Sequence, residues 1–206
     1  MEAEAETADD AGRANRWYAG CTAAFTVLCA LGALAVWGLS ELEKGLDGYG
    51  QIEETADGTS GGAADPLAPG VTAHYEDGLS VTVGVPHREP GGPAHRFTLT
   101  YENDTDATLT PGGDSAAASV SEYQAAPLVV RAGDPLDSGT PEGGSSSDWL
   151  NRDEAAQRLM RPLRAGERRT VPVRVVGSVE GMAVTVAVAP PDDGYRETAY
   201  WKVTLD

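Results

Sequence analysis

VTAHYEDGLSVTVGV, residues 71–85, alternates apolar and polar side chains on either side of an Asp77-Gly78 turn. Val71, Ala73 and Tyr75 fall on one face and Thr72 and His74 on the other; after the turn, Leu79, Val81, Val83 and Val85 oppose Ser80, Thr82 and Gly84. A period of two means strands with one face buried and one wet, here joined as a hairpin. The same pattern recurs outward along the chain. Phe97, Leu99 and Tyr101 share a face, as do Val171, Val173 and Val175, then Met182, Val184, Val186 and Val188, then Ala199, Trp201, Val203 and Leu205. Shorter strands are expected over 107–111, 118–123 and 128–131. Residues 71–206 therefore read as an all-β domain of seven or eight antiparallel strands, long enough to close one hydrophobic core.

Strand number and spacing suggest an immunoglobulin-like β-sandwich. Pro172 removes a donor from its strand, which places that strand at an edge or a bulge. One segment breaks the pattern. Residues 132–148 are rich in Gly, Ser and Pro, and WLNRDEAAQRLM, residues 149–160, has helical spacing, with Asp148 positioned as cap and Trp149, Arg152, Ala156 and Leu159 on one face. This short helix is expected to plug one end of the sandwich with Trp149 as its core anchor. The alternative is a recognition loop that presents Trp149 to a partner.

N-terminal to the strands, residues 40–70 are dominated by Gly, Ala, Asp and Glu and keep no apolar period. They read as a flexible acidic stalk, about 30 Å in reach. Before it, residues 17–40 carry no charged side chain, and 17–39 are long and apolar enough for one transmembrane helix. Arg13 and Arg16 at its N-terminal edge outrank Lys44 beyond it, so the tail 1–16 is expected to be cytoplasmic and the strands extracytoplasmic. Trp17, Tyr18 and Trp37 lie near the ends of the span, where amphipathic rings prefer the headgroups. The rival is a secreted form cleaved near Ser40, which the length of the apolar run disfavours. Cys21 and Cys29 fall inside the span and read as packing residues, and Gly20 with Ala24 forms a small-residue face for helix pairing.

The net charge of −17 argues against nucleic acid as partner, since phosphate binding needs clustered cations. Cations do cluster once: Arg161, Arg164, Arg168 and Arg169, with Arg174 beyond. Such a run either blocks edge-to-edge pairing of a strand or docks an anionic protein or cell-wall polymer. Arg161, Arg164, Arg168, Arg169 and Trp149 are thus the candidate partner-binding residues. No catalytic motif is present, and His74, His87 and His95 read as solvated surface residues. Glu102-Asn103-Asp104-Thr105-Asp106 has the oxygen ligands calcium takes but not an EF-hand's spacing, so a polar turn is expected there. No metal, cofactor or small-molecule ligand is specified.

Thirteen Arg against two Lys, with abundant Ala, Gly, Asp and Pro, is the composition of a GC-rich coding sequence. YEDGLSVTV (75–83), FTLTYENDT (97–105) and LRAGERRTVPV (163–173) resemble the opening hairpin, the next strand with its N-x-T turn, and the late L-x-P-G-E strand entry of immunoglobulin-like extracytoplasmic domains of actinobacterial membrane-anchored and secreted proteins. Ala165 stands where that last motif has Pro. The resemblance implies a sandwich fold and a non-enzymatic binding or scaffolding role at the cell envelope, and carries over no catalytic residue. The alternative role is a ligand-sensing or accessory subunit that signals through the membrane helix.

Overall fold

Alternation along each strand becomes two sheets that share one core. The computed structural model describes residues 50–136, 146–191 and 195–206. One sheet contains β1 (Thr72–His74), β2 (Leu79–Val83), β3 (His87–Arg88), β4 (Ala94–Asn103), β7 (Ser147–Trp149) and β8 (Glu167–Gly177), in the order β1-β2-β4-β8-β7 with β3 beside β4. The other runs β10 (Ala199–Leu205), β9 (Met182–Val188), β6 (Leu128–Ala132), β5 (Val120–Ser121). The described pairs are antiparallel except β5 with β6. The inward rows, among them Leu79, Val81 and Val83, Phe97, Leu99 and Tyr101, Val171, Val173 and Val175, and Trp201, Val203 and Leu205, join in a single buried cluster. The expected all-β architecture with one short helix is what forms.

Departures from expectation have local causes. β2 ends at Val83, and Gly84 carries the chain so close to Thr98 that a Cβ there would stand 3.0 Å from its Oγ1. Beyond Gly84, Val85 leaves the core and is 52% exposed. Residues 107–111 form only a bridge, Leu109 to Leu163, and the short strands β3 and β7 appear where no apolar period marked them. The helix α1 spans Arg152–Leu159 and buries Ala155, Ala156 and Leu159. It begins later than predicted: Asp148 lies in β7, and Asn151 occupies the N-cap without a side-chain capping bond.

Asn151 instead serves as a substitute strand. Its Oδ1 accepts from the Arg174 backbone N–H at 2.8 Å and its Nδ2 donates to the Pro172 carbonyl at 2.9 Å. The Leu150 N–H adds a bond to the Arg174 carbonyl. Alternate residues of a strand point their backbone groups to the same side, so the donor that Pro172 lacks faces Asn151 rather than β4. Pro172 thus sits inside the sheet's strand order yet on a stretch that β7, paired only with Val175–Gly177, does not reach. The proline's edge character is local.

The largest correction concerns the stalk. The unit that contains the sandwich runs from Gly48 to Asp206, and residues 50–70 are bonded to it. Ile52 bridges Tyr75, and the Glu53 N–H donates to His74, the last residue of β1. Further on, Leu67 bridges Trp201 in parallel: its N–H reaches the Tyr200 carbonyl and its carbonyl accepts from Lys202. Leu67 is fully buried. The segment therefore clasps β1, an edge of one sheet, and β10, an edge of the other, supplying partners to strand edges that are otherwise open. Its Gly- and Asp-rich composition reflects turns rather than slack, and the domain starts well before Val71. The predicted span 17–39, with Gly20 and Ala24, lies outside the described residues. Among those that are described, no helix is long and apolar enough to cross a membrane.

Candidate functional site

The arginine run divides by role along β8 and the turn that feeds it. In β8, Val171, Val173 and Val175 point inward, which turns Arg168, Thr170, Pro172 and Arg174 to the outer face of the sheet. Arg169 has the opposite parity and folds back onto the loop. Its guanidinium donates to the carbonyls of Arg161 and, at 2.7 Å, Pro162. Burial lowers its pKa, opposed by Glu167 and assisted by Arg161 nearby. Arg169 is a staple that fixes residues 161–162, not a free cation. Arg164 lies 3.7 Å from Glu167, whose other oxygen accepts from the Arg164 backbone N–H at 3.0 Å. Arg161 and Arg168 are exposed and make no ion pair among the described residues.

A second cationic corner forms at the other end of β8. Register places His87 opposite Arg96 and Arg96 opposite Arg174, in one row on the outer face. Arg174 holds Glu89 in a two-point ion pair, at 2.8 Å from Nε and 2.5 Å from Nη2. That hydrogen bonding lowers the Glu89 pKa against the opposing effect of desolvation, with the Arg174 and Arg96 charges adding to it. The same bond raises Arg174, and Glu154 lies near enough to contribute. Beside the row lies a groove of about 700 Å³ lined by Gly84, Val85, His87, Arg88, Arg96 and Thr98, among others. Arg88 and Arg96 are exposed. This corner was missed in the sequence because Arg96 and Arg174 meet only through the pairing of β4 with β8. The signal was available: both fall on the polar parity of strands whose apolar faces were legible.

No family model, curated protein or solved structure matches this chain. Its site must be read from its own geometry.

The remaining candidates are committed elsewhere. Trp149 is 7% exposed and donates from Nε1 to Asn151 Oδ1 at 3.1 Å, so it anchors β7 to the core and presents no ring to a partner. His74 and His87 are exposed, as expected, but His95 is buried. Its Nε2 lies 2.8 Å from the Asp206 backbone oxygen, tying β4 to the end of β10. In the 102–106 run, the fully buried Asn103 donates to the carbonyls of Ala107 at 2.8 Å and Leu163 at 2.9 Å, while its Oδ1 accepts from the N–H and hydroxyl of Thr105. Those groups organise the turn. Among the described residues no group of three or more His, Cys, Asp or Glu is gathered to hold a metal ion.

One pair has the elements of a nucleophile and base: His74 Nδ1 and Ser80 Oγ, 2.9 Å apart. Both stand on the open outer face, away from the groove, and no carboxylate bonds either of them among the described contacts. What the surface offers chemically is two sets of guanidinium groups, each able to bind carboxylate or phosphate in a forked geometry.

Proposed function

We propose that this protein is a membrane-anchored, extracytoplasmic binding or scaffolding module, non-enzymatic, that docks an anionic partner at the bacterial cell envelope through the Arg161–Arg168 corner. The observation that carries the reading is that Arg161 and Arg168 are exposed and make no ion pair among the described residues, in a chain of net charge −17. In so acidic a molecule, exposed guanidinium groups without an acidic partner attract anions where the rest of the surface repels them. The apolar span 17–39 supports the anchor, and two largely antiparallel sheets around one core support an immunoglobulin-like domain of the actinobacterial type. A second reading, a ligand-sensing accessory subunit, draws support from the groove beside Val85, whose volume suits a small ligand.

The test is co-sedimentation of the full-length, detergent-solubilised chain with purified cell envelopes. Retention at low salt, release at high salt, and loss of retention in a triple Arg161→Glu, Arg164→Glu, Arg168→Glu variant are expected. Retention that ignores both salt and the triple variant would sink this reading.

A further inference from the structure

The geometry points to a linear polyanion, of the phosphodiester-linked wall-polymer class, lying along the outer face of β8 and touching both cationic corners at once. This deepens the docking role above and rests on it. Arg168 and Arg174 are six residues apart on one face of one strand, which sets the corners about 20 Å apart. Between them the outer face carries Thr170 and Pro172 on β8 and Thr98 and Thr100 on the neighbouring β4. The hydroxyl row continues across the sheet, from Thr170 to Thr100 at 3.5 Å and, further along, from Thr82 to Thr72 at 2.7 Å. Glu89, Glu102 and Asp148 stand at the two ends of this face beside the cations, Glu89 already paired to Arg174, and Glu154, near Arg174, is paired to Arg158. The mid-track positions themselves, Thr170, Pro172, Thr98 and Thr100, carry no carboxylate.

This pattern selects among anions. The buried core of a protein–protein interface is typically depleted of charge and enriched in aromatic residues. The track is polar throughout except for Pro172, and Val85 is displaced to one corner. A duplex nucleic acid, charged on all sides, would press phosphates against the acidic remainder of the chain. A single flexible chain with spaced anionic groups and hydroxyls instead meets guanidinium groups at each end and threonine hydroxyls between. Two anchor points on one polymer multiply, so length matters.

The decisive experiment measures binding of three probes to the full-length chain in detergent: pyrophosphate, a polyphosphate fraction long enough to span both corners, and poly(glycerol phosphate) of similar length. Both polymers should bind at least about tenfold more tightly than pyrophosphate. Arg96→Glu and Arg168→Glu should each cost the polymers about tenfold. Thr170→Glu, which places a carboxylate mid-track at an exposed position, should do likewise while leaving pyrophosphate binding unchanged. Equal affinity for short and long probes, or polymer binding indifferent to Arg96→Glu, overturns the track. If envelope retention still depends on Arg161, Arg164 and Arg168 in that case, the single-corner docking role stands and its partner is a compact anion such as an acidic protein. If retention is also insensitive to them, both fall.

Discussion

Single side chains in this domain are read best by asking what their polar atoms touch. Tyr75 and Tyr101 share the core, but the Tyr75 hydroxyl donates to the Glu197 carbonyl at 2.9 Å, whereas the Tyr101 hydroxyl is buried with no hydrogen-bond partner among the described residues. Burial, then the neighbouring Tyr75, raises the Tyr101 pKa far above the usual phenol range. An unsatisfied buried hydroxyl costs free energy that a ring of the same shape does not. Tyr101→Phe should therefore raise stability by about 1 kcal/mol, read as a higher urea midpoint at unchanged slope. A lower midpoint would mean that the hydroxyl has a partner in solution.

Glu89 allows a second prediction. Its folded pKa lies below its unfolded value because Arg174 binds the ionised form. The contribution is thus present above the unfolded pKa and is lost as pH falls through the folded one. Glu89→Gln should flatten the melting temperature against pH on the acid side of about pH 4.3 and leave its shape near neutrality unaltered. An acid limb of the same steepness in both proteins would contradict this.

At the scale of elements, the long strands were legible and the clasp was not, for a physical reason. A strand with one buried face repeats its apolar residues every second position, so β2, β4, β8, β9 and β10 each declare themselves. The segment 50–70 is held by two isolated apolar side chains, Ile52 and Leu67, and by backbone bonds to strand edges. Backbone bonds leave no mark on composition. Gly50 illustrates the point: its carbonyl accepts from the Glu197 N–H, and a Cβ there would lie 1.9 Å from the Tyr195 carbonyl oxygen. A glycine that reads as stalk is required by contact. Leu67→Ala should destabilise the domain by about 2–5 kcal/mol, as for any fully buried leucine, measured by urea unfolding. A loss near zero is what a loose stalk would give. The candidate site splits the same way: Arg161, Arg164 and Arg168 fall within eight residues of sequence and are visible there, while Arg96 and Arg174 become neighbours only through register.

Considered as a whole, the domain joins its two sheets at several points outside the core. The Arg196–Asp77 ion pair, with both side chains nearly buried, ties the β1–β2 turn to the approach to β10, next to the Tyr75–Glu197 bond. Breaking such a pair by removing one partner leaves an uncompensated buried charge, so it acts more as a lock on geometry than as a source of stability. His95 joins β4 to the end of β10, and the clasp joins β1 to the middle of β10. Each sheet's edge at this side is thereby fixed to the other sheet.

The clasp also decides how the domain bears a load. Tension entering at residue 50 meets the Gly50–Glu197 and Ile52–Tyr75 attachments first, then the bond from the Tyr200 N–H to the Gly61 carbonyl, and reaches the Leu67–Trp201 bridge only after those have parted. The stretches 52–61 and then 61–67 can lengthen in turn while β1, β2 and β10 remain in place. Residues 50–67 would thus work as a mechanical fuse, yielding stepwise under strain before the sandwich does.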